Sequence, residues 1–125
     1  MKTYFYALLV LAFLLVFHSL GIKDNLYLYF WFYDIIAHML GGLGIGLFVI
    51  AILQTFYPSF LAKNRLLKIA LLVFLAGLAW EVFEVWFNIA GYPFGTKLYF
   101  IDTVKDLVDD VIGGLIAVYI TRPRI

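Results

Sequence analysis

Long apolar stretches constrain this chain more than any other feature. Four stand out: Tyr4–Leu20; Leu26 to Phe56, stopped by Tyr57-Pro58; Leu66–Ile89, ended by Gly91 and Pro93; and Asp102–Ile120, ended by Pro123. A bilayer core about 30 Å thick takes around 20 helical residues. The expected fold is therefore all-α: a polytopic membrane bundle of four transmembrane helices, forming one domain over residues 1–125. Composition agrees. Apolar residues make up 66% and charged residues 14%, and a soluble domain of this size needs more charge to cover its surface. Lys2 and the run Tyr4–Phe17 also fit the start of a signal peptide. The following His18–Lys23 is a poor small-residue cleavage site, so the segment reads as a retained helix.

The second stretch is too long for one crossing. Its start, Leu26 to Tyr33, is rich in aromatic residues, the composition of a membrane–water interface, so the span is expected to begin near Tyr33. The fourth stretch carries five charges in nine residues: Asp102, Lys105, Asp106, Asp109 and Asp110. It can cross only with its acidic side hidden from lipid. At about 100° per residue, Asp102, Asp106, Asp109, Gly113 and Ala117 share one face, with Asp110 at its edge, opposite Val104, Leu107, Val108, Val111 and Leu115. The lipid-facing residues are expected to be Val104, Val108, Val111 and Leu115. A helix lying in the interface is the alternative, although such helices favour Lys and Arg on the polar face. The expected connections are Phe60 to Arg65 and Tyr92 to Ile101.

Four spans put both termini on one side with the loop between helices two and three. Lys2, Lys63, Arg65, Lys68, Arg122 and Arg124 collect there, against Lys23, Lys97 and Lys105 on the other side. This bias predicts a cell-membrane protein with both termini cytoplasmic. Lys23–Asn25 and Tyr92–Thr96 then lie outside.

That topology brings the ionisable residues to one depth. His18 lies near the outer end of helix one, Asp34 and His38 near the start of helix two, Glu81 and Glu84 in the second half of helix three, and the aspartates at the start of helix four. Asp34 and His38 are i,i+4, and Glu81 and Glu84 are i,i+3, so each pair shares a face. Gly42, Gly46, Gly113 and Gly114 read as close-packing positions between helices. Asp106 is expected to face Glu81 or Glu84.

A carboxylate in a bilayer costs several kcal/mol unless paired or hydrated, so such residues are usually functional. Lys105 alone cannot neutralise the cluster. Protonation, a metal ion or a water-filled pocket would each relieve it. Asp102 reads more simply as a helix N-cap, His18 as an interfacial residue, and Asp109 as a partner of Lys105. The candidate metal ligands are Asp34, His38, Glu81, Glu84, Asp106 and Asp110. Carboxylates with one imidazole suit a divalent ion such as Mg²⁺, Mn²⁺ or Zn²⁺. Nothing points to an organic cofactor. The chain has no cysteine, which excludes disulfides and thiolate chemistry. With a net charge of +1 and no basic stripe it gives no nucleic-acid signal.

Asp34-x3-His38, Glu81-x2-Glu84 and Asp106-x3-Asp110-x2-Gly113, in this order, resemble the VanZ-like and YjdF-like families of small bacterial and archaeal membrane proteins. Asp110 stands where VanZ-like proteins often have Asn, and Glu84 where they often have Gln, so the YjdF-like branch is nearer. The resemblance implies a polytopic envelope protein. VanZ-like members are associated with resistance to a lipid-tailed glycopeptide antibiotic. It supports the site without implying a reaction.

Three functions fit the sequence. A metal-dependent enzyme could act on a lipid or glycan headgroup at the outer leaflet. A proton- or cation-coupled transport element could use the carboxylates as a relay, but the inner half offers no polar path, and so small a chain would have to form a homo-oligomer. A non-catalytic accessory protein could sequester a headgroup, a lipophilic small molecule or a partner helix. Membrane lipid and a lipid-linked or lipophilic molecule are the expected partners.

Overall fold

The structure is a computed structural model and describes residues 1–123. Arg124, counted above with the cytoplasmic basic residues, lies outside them. The described residues form helices and connecting turns without a strand. The helices are α1 (Lys2–Lys23), α2 (Leu26–Tyr29), α3 (Tyr33–Phe56), α4 (Pro58–Ala62), α5 (Arg65–Trp86) and α6 (Lys97–Ile120).

Local chemistry sets these boundaries. The long second stretch breaks before Tyr33, because Leu26–Tyr29 makes a single separate turn and Phe30 is extended. The main helix then starts at the expected residue. Pro58 begins α4, where its missing N–H leaves no bond unmade. Asn25, Asn64 and Asn88 take left-handed φ values of 55°, 53° and 55° at three helix ends, a region Asn tolerates better than most residues. One boundary corrects the sequence reading. The last helix starts at Lys97, not Asp102, and its N-cap is Thr96, whose hydroxyl accepts from the Tyr99 N–H at 3.3 Å. Asp102 lies inside α6 and cannot be its cap. The preceding connection accordingly ends at Thr96 rather than Ile101.

The four long helices alternate in direction. Phe17 stacks on Tyr33 at 4.1 Å, and Tyr4 meets Phe48 edge-on at 6.3 Å, which makes α1 and α3 antiparallel. Near its start α6 meets Asp34 through Lys105, and further on it meets Gly46 through Ala117. It therefore runs parallel to α3. It runs antiparallel to α5, tied by Thr103 to Glu81 at one end and by Thr121 to Arg65 at the other.

Three helices, α1, α3 and α5, are long and apolar enough to cross a membrane. At 24 residues α6 matches α3 in length, but its charges set it apart. Those charges are turned inward: Asp106, Asp109 and Asp110 are 3%, 8% and 7% exposed. Val104, Val108, Ile112 and Ile116 face outward. Val111 and Leu115 are only half-buried. The outer face is thus rotated by one residue from the expected one in the second half of the helix. The rotation follows from packing: α6 seats both Gly113 and Gly114 inward, between α3 and α5.

The apolar core includes Ala7, Leu47, Ile50, Ile69, Val73, Ala117 and Val118. It fills the bundle on the side away from the aspartates. Glycines let α6 close on its neighbours, as the sequence suggests. A Cβ on Gly42 would strike the Asp110 carbonyl, and one on Gly113 would strike the Met39 carbonyl. This backbone-to-backbone approach brings Asp106 and Asp110 within reach of His38.

Candidate functional site

Asp34 occupies the first turn of α3, and His38 follows one turn later. From α6, Lys105, Asp106, Asp109 and Asp110 converge on them. The imidazole lies between carboxylates on both sides. Its Nδ1 is 3.1 Å from Asp110 Oδ1, while its Nε2 is 3.5 Å from Asp106 Oδ2 and 3.6 Å from Asp34 Oδ1. The first separation is a hydrogen bond, and the other two exceed hydrogen-bond length.

Lys105 occupies the other side of the same carboxylates. Its ammonium is 2.7 Å from Asp34 Oδ2 and 2.5 Å from Asp106 Oδ1. Asp34 and Asp106 therefore each turn one oxygen to the ammonium and the other to the imidazole. Asp109 Oδ2 is 3.7 Å from Lys105 Nζ and has no hydrogen-bond partner. The pairing of Lys105 with Asp109 read from the sequence is present but long, and the side chain reaches Asp34 and Asp106 more closely. A flexible four-carbon stem can reach across faces that helical periodicity keeps apart.

Four carboxylates face one ammonium and one imidazole, so negative charge is in excess even with His38 protonated. The cluster is open on one side. Asp34 and Lys105 are about one-third exposed, at 32% and 34%, while the His38 side chain is 10% exposed. One ligand atom from each of Asp34, His38 and Asp106 lies within 4.8 Å of the other two.

Of the six residues singled out in the sequence, Asp34, His38, Asp106 and Asp110 come together. Glu81 and Glu84 make their contacts elsewhere. Glu81 is buried and accepts from Thr103 Oγ1 at 3.1 Å through Oε2. Glu84 accepts from Trp80 Nε1 at 2.9 Å. The expected approach of Asp106 to Glu81 or Glu84 is replaced by its contacts with His38 and Lys105. On the α5 side the cluster meets bare backbone at Gly77, where a Cβ would come within 2.6 Å of Asp110 Oδ2. Sequence reasoning missed Thr103 and Trp80. The i,i+4 spacing of Trp80 and Glu84 was a readable signal for the second.

His18 stands apart, as expected. Its Nδ1 is 2.7 Å from the Tyr27 hydroxyl. Burial, followed by the charge of Asp34, pushes the Tyr27 phenol up from its ordinary value, so it stays protonated.

No curated protein and no solved structure matches the chain. A family model described as a predicted membrane protein, DUF2238, matches residues 1–124. With the match spanning nearly the whole sequence and the helices apolar enough for a bilayer, the chain belongs to the DUF2238 family of membrane proteins.

Proposed function

We propose that this protein binds one divalent metal ion through Asp34, His38 and Asp106 and presents it to a lipid or glycan headgroup at the outer surface of the cell envelope. The observation that carries this reading is the division of labour at His38. A metal-bound imidazole almost always donates its other ring N–H to a carboxylate or carbonyl, which fixes the ring and its tautomer. Asp110 is placed for that role at Nδ1. Nε2 then faces Asp34 Oδ1 and Asp106 Oδ2 at separations of 3.6 and 3.5 Å. Metal bonds of about 2.0–2.2 Å bring neighbouring ligand atoms to roughly 3 Å, so the group closes on an ion with small movements. Lys105 can stay on the opposite carboxylate oxygens. Glu81 and Glu84, already bonded to Thr103 and Trp80, fall outside the ligand set.

A mixed oxygen and nitrogen set suits Zn²⁺ or Mn²⁺ better than Mg²⁺. A bound ion would polarise a phosphoryl or acyl oxygen and acidify water. The exposed edge at Asp34 and Lys105 gives a headgroup access, and the ammonium supplies a second positive contact for an anionic one.

In the membrane we place α6 as a fourth span. It runs beside α3 through depth after depth, and its outer face is aliphatic. Both termini are then cytoplasmic, by the distribution of basic residues. The motif resemblance to VanZ-like and YjdF-like proteins supports an envelope location. A transport path is disfavoured, because the apolar core closes the bundle beyond the cluster.

The test is thermal unfolding of purified protein in detergent with added Mn²⁺ or Zn²⁺. The melting temperature should rise with metal, since a ligand that binds only the folded state stabilises it. It should return on chelation and be insensitive to metal in Asp106→Asn. A wild type that does not respond to metal rules the reading out.

A further inference from the structure

The end of the bundle away from the aspartates carries charge of the other sign. Arg65 and Lys68 are i,i+3 at the start of α5 and share a face. Arg122 follows directly on the end of α6, and the two helix ends are joined. Arg65 Nη2 donates to the Thr121 hydroxyl at 2.6 Å and to its carbonyl at 3.2 Å. Three cations therefore meet where α5 begins and α6 ends. Among the described residues none of the three forms an ion pair. The first acid after Lys68 in α5 is Glu81, and the last before Arg122 in α6 is Asp110, twelve residues away. Even that nearer one is separated by about 18 Å of helix, far beyond ion-pair reach.

Local partners offset this charge only in part. The Thr121 carbonyl, at the negative end of α6, suits Arg65. Lys68 donates to the Phe60 carbonyl. Neither oxygen carries a full charge. Both cations also stand at the beginning of α5, where the helix dipole favours anions, yet its first turn holds no acid. Arg65 Nε is sealed by the chain, but Nη1 is not sealed and has no hydrogen-bond partner among the described residues, so the guanidinium keeps an open donor. Aromatic rings mark the depth. Lys68 Nζ lies 4.1 Å from the Phe60 ring centre, and the Arg122 guanidinium lies 5.6 Å from that of Tyr119. Phe60 and Tyr119 are 49% and 70% exposed. Exposed rings at the end of an apolar span sit at headgroup level, and α5 is long and apolar enough to be such a span. The anion within reach at that level is a lipid phosphate.

We propose that Arg65, Lys68 and Arg122 seat the headgroup of an anionic phospholipid in the leaflet at this end of the bundle, which the bias of basic residues makes cytoplasmic. A zwitterionic headgroup would bring a fourth cation into the group, so a net negative one is required. The seat shares no residue with the metal site and does not depend on it.

Phosphatidylglycerol and phosphatidylcholine with the same acyl chains would be titrated into the detergent-purified protein, with chelator present so that metal plays no part. Thermal stability would be followed, and retained lipid counted by native mass spectrometry. Phosphatidylglycerol should raise the melting temperature saturably and at lower concentration than phosphatidylcholine, and high salt should remove the difference. Lys68→Gln and Arg122→Gln should each raise its half-saturating concentration about fivefold, the weight of one basic residue at a charged membrane surface. Arg122 is exposed, so its variant decides the matter if Lys68→Gln does not fold. Lys23→Gln removes the same charge from the opposite end and should change nothing. Equal effects of the two lipids, or an unchanged half-saturation in Arg122→Gln, overturn the proposal. Equal weakening by Lys23→Gln means that net charge alone is sensed and overturns it too. Equal stabilisation by glycerol phosphate at the same concentration means a soluble anion rather than a lipid, and likewise overturns it.

Discussion

His38 Nδ1 and Asp110 Oδ1 lie 3.1 Å apart, across the α3–α6 interface. The two residues are 72 positions apart in sequence. They meet only because Gly42 and Gly113 let the two backbones touch. The hydrogen bond fixes which ring nitrogen turns toward Asp34 and Asp106. Asp110→Ala should therefore weaken Mn²⁺ or Zn²⁺ binding about 10–100-fold without removing a ligand. Asp110→Asn, which keeps an acceptor oxygen, should lose less. Metal titrations of the two variants would check this, and equal losses would place Asp110 among the ligands instead.

Lys105 holds Asp34 and Asp106 together in the metal-free protein. Lys105→Met should destabilise that form by about 1–3 kcal/mol, less than the penalty for breaking a fully buried pair because the ammonium is partly solvated. The same variant should show a larger metal-induced rise in melting temperature than the wild type, since the ion then supplies the missing charge. Chemical or thermal unfolding with and without metal distinguishes this from a general packing defect, which metal would not repair.

Gly42→Val places side-chain atoms against the Asp110 carbonyl. The contact is with backbone, which cannot swing aside as a side chain can. The expected loss is about 3 kcal/mol or more, at the top of the range for overpacking. Gly91→Val is the control. Nothing lies within 4 Å of a Cβ there, so stability should stay within about 0.5 kcal/mol of the wild type.

The inward face of α6 predicts a labelling pattern. Single cysteines at Val104, Val108, Ile112 and Ile116 should carry spin labels accessible to a lipid-soluble quencher, while one at Ala117 should not. Reporter fusions at Gly95 and Arg122, which flank α6, should lie on opposite sides of the membrane. Placement of both on one side would leave α6 in the interface rather than across the bilayer.

Much of this was readable in the sequence. Apolar length gave three of the helices, and aromatic enrichment placed the start of α3 at Tyr33. The i,i+4 spacings of Asp34–His38 and Asp106–Asp110, combined with alternating helix direction, brought those four residues to one place. Three features were not readable. Thr96 caps α6 because a Thr hydroxyl bonds the backbone locally, and the charged residues after it drew attention away from that turn. Glu81 turns to Thr103 on the neighbouring helix, a choice between neighbours that depth and periodicity do not distinguish. The one-residue rotation in the second half of α6 depends on two adjacent glycines packing against two different helices, a tertiary effect with no one-dimensional signature.

The most direct measurement is metal content. Protein purified in detergent, equilibrated with Mn²⁺ or Zn²⁺ and freed of excess by gel filtration, would be analysed for metal per chain beside Asp106→Asn. One ion per wild-type chain, lost from the variant, is the predicted result. Substoichiometric metal in the wild type, or equal metal in both proteins, would contradict an ion held by Asp34, His38 and Asp106.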